Sequence, residues 1–187
     1  MTIGFALCGS FCTFAEVFPV MEALAANHTV IPIFSTVAYS TDSRFGTAQE
    51  HIRRANQICG RDPLHTIAQV EPIGPKKLLD LLIVAPCTGN TLAKLAHGIA
   101  DTPVTMAVKS HLRNGRPVLI AVSTNDGLSG AAENIGRLLN RKHYYFVPFR
   151  QDDPIQKPNS LIADFTLINE SVQNAIAGKQ LQPLLKV

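Results

Sequence analysis

Short runs free of charged residues punctuate this chain, and segments with helical apolar spacing stand between them. Ile3–Cys8 (IGFALC) is continuously apolar until Gly9 and Ser10 end it, as suits a strand buried on both faces. Thr29–Phe34 (TVIPIF), Leu78–Cys87 (LLDLLIVAPC), Arg116–Ser123 (RPVLIAVS) and the YYFVPF run, residues 144–149, read as four further strands. Helices are expected between them. Thr13 and Glu16 have capping-box spacing ahead of Val17, Val20, Met21 and Leu24, and Thr47 and Glu50 repeat it ahead of Ile52, Ala55 and Ile58, a helix that stops at Gly60. Leu92, Leu95 and Ile99 share the core spacing of a helix over residues 90–100. Thr102 and Pro103 open another, closed by Asn114 and Gly115. Further helices are read over residues 131–142 and 165–177, whereas residues 61–77, rich in Pro and Gly, give no clear element.

Strands alternating with helices imply right-handed crossovers and a parallel sheet covered on both faces. The expected fold is α/β: a single doubly wound, Rossmann-like (flavodoxin-like) three-layer sandwich with a parallel sheet, one domain over residues 1–187. The composition, 46% hydrophobic and 17% charged, agrees with buried strands or with a protomer that hides surface in an oligomer. A net charge of +3 spread without blocks of like charge argues against a nucleic-acid or membrane-surface partner. The four cysteines form no C-x-x-C pair and lack ligand-spaced histidines, so no metal site is expected. The N-terminal apolar run has no basic flank and no apolar stretch reaches about eighteen residues, so the expectation is a cytosolic protein with reduced thiols.

In such a fold, ligands lie outside the carboxyl ends of the strands at a topological switch point. Three polar segments should meet there. Gly9, Ser10, Phe11, Cys12 and Thr13 join a strand to a helix, offering backbone N–H groups and hydroxyls to one anion, with a tight turn and capped helix as the alternative. No G-x-G-x-x-G and no G-x-x-x-x-G-K-[ST] is present, so neither an ordinary dinucleotide site nor a nucleotide-hydrolysing P-loop is supported. Ser35 and Thr36 follow the second strand, within a polar stretch long enough for a functional loop, and Arg44 adds a cation suited to a carboxylate. After the third strand come Thr88, Gly89, Asn90 and Thr91. These are neutral groups suited to hydrogen bonding rather than proton transfer, with helix capping by Asn90 as the alternative. Cys8, Cys12 and Cys87 read as packing residues, and His111 and Asp126 are not assigned a role.

The GS after the first strand and the A-P-x-T-G-N-T-x-x-K-x-A-x-G-x-x-D segment resemble the flavoprotein superfamily of cysteine decarboxylases and flavin prenyltransferases, in which T-A-N-T is usual. That resemblance implies FMN and points to Gly9, Ser10, Ser35, Pro86, Thr88, Asn90 and Thr91; with Phe11, Cys12, Thr36, Gly89, Ser123 and Thr124 they make the candidate cofactor-binding set. STDSRFG, RNGRPVLIAVSTNDGL, YYFVPFRQDDP and KPNSLIADF are together similar to the B-subunit family of bacterial dipicolinate synthases over nearly the whole chain. The likeness implies a partner, the A-type subunit of dipicolinate synthase, carrying NADP. It also implies formation of dipicolinate from a (hydroxy)tetrahydrodipicolinate precursor, and homo-oligomers in the cytoplasm of the mother cell of a sporulating bacterium. Candidate contacts for the dicarboxylate are Arg44, Lys109 and Arg113. The P-x-M-N of the decarboxylases and prenyltransferases is replaced by Ser123, Thr124, Asn125 and Asp126, and their Gly-rich Cys segment is absent after Phe149. A freestanding decarboxylase or prenyltransferase is therefore a weaker implication, and an assembly protein with a vestigial flavin pocket is the other alternative.

Overall fold

A computed structural model describes residues 1–186. Strands β1 (Thr2–Leu7), β2 (Thr29–Phe34), β3 (Leu81–Cys87), β4 (Val118–Thr124) and β5 (Tyr144–Phe146) pair in parallel in the order β2-β1-β3-β4-β5. Every residue of β3 is buried, because helices cover both faces of the sheet. From β1 the chain moves outward to β2 and then returns to the other side of β1 as β3, which places the switch point between β1 and β3.

The helices are α1 (Phe14–Ala25), α2 (Thr36–Ser40), α3 (Ala48–Cys59), α4 (Ile67–Val70), α5 (Gly89–His97), α6 (Pro103–Leu112), α7 (Ala132–Leu139) and α8 (Ile168–Ile176). The Thr47 and Glu50 capping box forms, and Gly60 closes α3 at φ 66°. The Thr13 and Glu16 box does not form. A 3-10 turn over Phe11–Thr13 starts the helix early, so Thr13 is already helical and its hydroxyl donates to the Ser10 carbonyl at 2.9 Å. The polar stretch after β2 is not a free loop either: Ser35 caps α2, its Oγ accepting from the Ala38 N–H at 3.1 Å. Ile99, expected in the core, lies beyond the Gly98 cap and is 47% exposed.

The fifth strand is shorter than expected, and the sheet is not wholly parallel. Phe149 begins a second strand, β6 (Phe149–Asp153), which turns into β7 (Lys157–Ala163) as an antiparallel hairpin. Strand β4 serves both neighbours: Val118–Ile120 pair with β5, and Ser123 and Thr124 pair antiparallel with Ile162 and Leu161 of β7. The outer rims are also occupied. Leu64 exchanges backbone bonds with Pro32 and Phe34 beside β2, Leu184 and Lys186 bond to Phe149 of β6, and the Gln180 amide accepts from Phe146 N–H at 2.8 Å while donating to its carbonyl at 2.6 Å.

Candidate functional site

The carboxyl ends of β1, β3 and β4 open onto a cavity of about 540 Å³, within the roughly 300–1,000 Å³ of small-molecule sites. Its floor comes from the loop after β1. Gly9 fits because α2 leaves no room for a side chain there: a Cβ would stand 2.9 Å from Val37 Cγ1. The N–H groups of Gly9, Phe11 and Cys12 have no protein acceptor among the described residues. Ser10 and Ser123 share a hydrogen bond of 2.7 Å, which ties the loop after β1 to the last residues of strand β4 across the end of β3.

Gly89 opens α5 beneath the β4 loop, and a Cβ there would lie 2.7 Å from Thr124 Oγ1 and 2.8 Å from Asp126 Oδ1. The Thr124 hydroxyl itself donates to that Asp126 carboxylate. The far wall is the β6–β7 hairpin. Ser160, buried on β7, donates towards the Thr124 carbonyl at 3.3 Å, and Lys157 pairs with Asp152 at 2.8 Å. The hydrogen bond to Asp152 holds the Lys157 ammonium above the usual lysine range, so it stays charged. On the side of β2, Arg44 and Phe45 project from the α2–α3 connection, with the guanidinium 4.8 Å from the Phe45 ring centre. Arg44 has no carboxylate partner among the described residues, which leaves it the unpaired cation of the lining.

The buried thiols are chemically quiet. Burial pushes Cys8 up to about 11 and Cys87 well above the ordinary thiol value, and Thr91 Oγ1 donates to Cys8 Sγ at 3.3 Å. Cys12 differs, since it is exposed on the cavity wall with its sulfur 3.7 Å from Ser10 Oγ. It is therefore a residue of the cavity lining and not of the core.

Of the candidate residues, Gly9, Ser10, Phe11, Cys12, Arg44, Thr88, Gly89, Ser123 and Thr124 meet in this cavity. The others do not line it. Ser35 is used up in capping α2, and Thr36 is exposed on that helix, its carbonyl accepting from Ser40. Pro86 is buried in β3, Thr91 bonds inward to Cys8 and Thr88, and Asn90 is exposed on α5 without capping it. Lys109 faces a separate cavity on α6, and Arg113 lies beside Gly74 near the amino ends of the strands. Lys157, Asp152, Ser160 and Asn125 were not foreseen, although QDDP and KPNS carry polar groups at the spacing of a tight hairpin.

The flavoprotein family model matches residues 1–166. The chain belongs to the flavoprotein family. It is 41% identical over 184 residues to the dipicolinate synthase B-subunit of Bacillus subtilis, covering 98% of this chain and 92% of that protein. The crystal structure of the dipicolinate synthase B-subunit from Bacillus halodurans superposes with a TM-score of 0.91 at 42% identity, covering 100% of this chain and 96% of that one. A dodecameric FMN-dependent decarboxylase from Escherichia coli O157:H7 shares the fold at a TM-score of 0.62 and 22% identity, over 79% of this chain and 80% of its own. The three-layer α/β architecture read from the sequence is thus the architecture of this flavoprotein's relatives.

The residues present fit a phosphorylated group: unpaired N–H donors and two serine hydroxyls lie at one end, and the neutral Thr88 and Gly89 line the other. No group of His, Cys, Asp and Glu among the described residues is arranged to hold a metal ion. Nor is any described helix long and apolar enough to cross a membrane.

Proposed function

We propose that this chain is the B-type component of a dipicolinate synthase, with FMN held at the carboxyl ends of β1, β3 and β4. The observation that carries the reading is the 41% identity over 98% of the chain. Ser10, Ser123 and the N–H groups of Gly9, Phe11 and Cys12 would hold the phosphate, and Thr88 and Gly89 would lie against the ring. Bound there, FMN supplies a two-electron acceptor or donor beside the substrate.

The reaction takes a hydroxytetrahydrodipicolinate, which loses water and then two electrons and two protons to give the aromatic pyridine-2,6-dicarboxylate. The two electrons would go to NADP on the A-type partner, or to FMN where this cavity holds it. Arg44, the unpaired cation of the lining, orients one carboxylate through a charge-assisted contact. Lys157 is the second cation of the same cavity, though its charge is shared with Asp152. Lys109 and Arg113 lie away from this cavity and take no part in the proposal. The proposed setting is the mother-cell cytoplasm during sporulation, with the chain in homo-oligomers.

The test is reconstitution: this chain and its A-type partner together should form dipicolinate, read by mass spectrometry, and the gently purified complex should show a flavin spectrum and mass. Full activity from the A-type partner on its own would overturn the catalytic reading. One observation favours a second reading, a non-catalytic assembly protein: Thr124 and Asp126 close over Gly89 on the cavity rim. In that case Ser10→Ala and Ser123→Ala leave dipicolinate formation intact.

A further inference from the structure

A second cavity, of about 280 Å³, lies on the helical face between the end of α5, the middle of α6 and the start of β5. Leu95, Ile99, Val108 and Leu112 give it apolar walls, and no acidic side chain lines it. Two cations stand at its border. The Arg141 guanidinium is fixed on the carbonyls of Leu95 and Ala96 at 3.1 and 2.7 Å, which turns a cationic group towards the closing end of α5. Lys109 is exposed and makes no ion pair among the described residues.

The decisive group is Tyr144. This residue is only 9% exposed and lines the cavity, yet its hydroxyl makes no hydrogen bond among the described residues. The residue is buried but its hydroxyl keeps access to solvent, so on the cavity wall it is a free donor for a ligand. Burial holds the Tyr144 phenol up to about 12, which keeps it a donor across the physiological range.

We propose that this cavity is a second ligand site, which takes a small monocarboxylate with an apolar ring or chain. The body fills the space between Leu95, Ile99, Val108 and Leu112, and the carboxylate accepts from the Tyr144 hydroxyl and faces Lys109. The ligand class follows from the lining: apolar walls disfavour a sugar, two cations without an acid disfavour an amine, and the volume, just under the roughly 300 Å³ of the smallest drug-sized sites, calls for a small ligand. Lys109 thus serves a carboxylate after all, but not the one in the first cavity. The inference is independent of FMN and of the synthase reading.

The experiment is ligand-observed saturation-transfer NMR on the full chain, with benzoate and its neutral isostere benzamide as probes. Benzoate should bind the wild type, and Lys109→Gln should weaken it about tenfold, the effect expected for loss of one charge-assisted contact. Tyr144→Phe should weaken it about threefold with an unchanged circular-dichroism spectrum, as loss of one neutral hydrogen bond does. Arg44→Gln, in the first cavity, should leave the affinity unchanged. Benzamide binding as well as benzoate overturns the proposal. So does loss of binding in Arg44→Gln but not in Lys109→Gln, or a change of oligomeric state in Lys109→Gln by sedimentation, which would make this face the seat of a second copy.

Discussion

Replacing Gly127 by Ala tests whether packing alone fixes the hairpin wall of the cavity. Gly127 follows β4 at an ordinary backbone φ, so alanine brings no conformational strain. Its Cβ would instead stand 2.6 Å from Leu161 Cγ and 2.7 Å from both Cβ and Cδ1 of that residue. Carbon atoms rest about 3.5–4.0 Å apart, so β7 must yield by about 1 Å. Leu161 is 6% exposed and paired both to Thr124 of β4 and to Gln151 of β6, so it cannot simply swing into solvent. Overpacking of this kind costs about 1–3 kcal/mol. For a chain of this length that lowers Tm by roughly 2–12 °C. Scanning calorimetry measures it, and Leu161→Ala supplies a cycle: the methyl should cost less in the Leu161→Ala background, by at least about 0.5 kcal/mol. A Tm within 1 °C of wild type (a threshold of about 0.3–0.5 kcal/mol), or strictly additive effects, would refute the packing argument.

Stability should also fall on acidification through His111. Burial pushes this imidazole down to about 4, while its Nε2–H donates to the Pro117 carbonyl at 3.0 Å. The unfolded chain, with a value near 6.5, binds the proton first, so stability is full above about pH 6.5 and falls towards pH 4, with about 2 kcal/mol lost between pH 7 and 5. Urea denaturation should show that slope, flattened in His111→Gln. Thr47→Ala removes the capping box of α3, whose Thr47 hydroxyl accepts from Glu50 N–H at 3.2 Å, and should lower the urea-derived stability by about 1 kcal/mol. An unchanged midpoint would show the cap idle. Iodoacetamide should label Cys12 in the native chain well before Cys8 or Cys87, with mass mapping as the readout. FMN should slow the Cys12 reaction; labelling at an equal rate with flavin present would place the cofactor elsewhere.

The parallel core was legible because its strands advertise themselves: a run such as LLIVAPC has no charged residue to place in water, so it can only be buried between layers. Ser10 and Gly89 were legible for a related reason, since the fold sends whatever follows an apolar strand to the ligand-binding rim. Thr13 misled because capping-box spacing is a property of four residues, whereas the 3-10 turn that consumed it depends on how the loop folds back to Ser10. The hairpin was hidden more deeply. FRQDD and KPNSLIA contain Asp, Asn, Lys and Pro, poor strand formers, and they are strands because the free end of β4 offers Ser123 and Thr124 as a template. Lys157 and Ser160 were therefore beyond local reading, and Ser35 failed in the opposite sense, its hydroxyl satisfied by its own helix.

The occupied rims of the sheet limit how copies of this chain can join. An open strand border invites another chain to add on, and continued addition ends in open-ended aggregates. Here Leu64, Leu184 with Lys186, and the Gln180 side chain act as built-in stoppers on β2, β6 and β5, the last by imitating a peptide group with an amide. Copies that do associate would therefore meet through helices and loops, and trading Gln180 for a residue without an amide would unplug one border and favour precipitation.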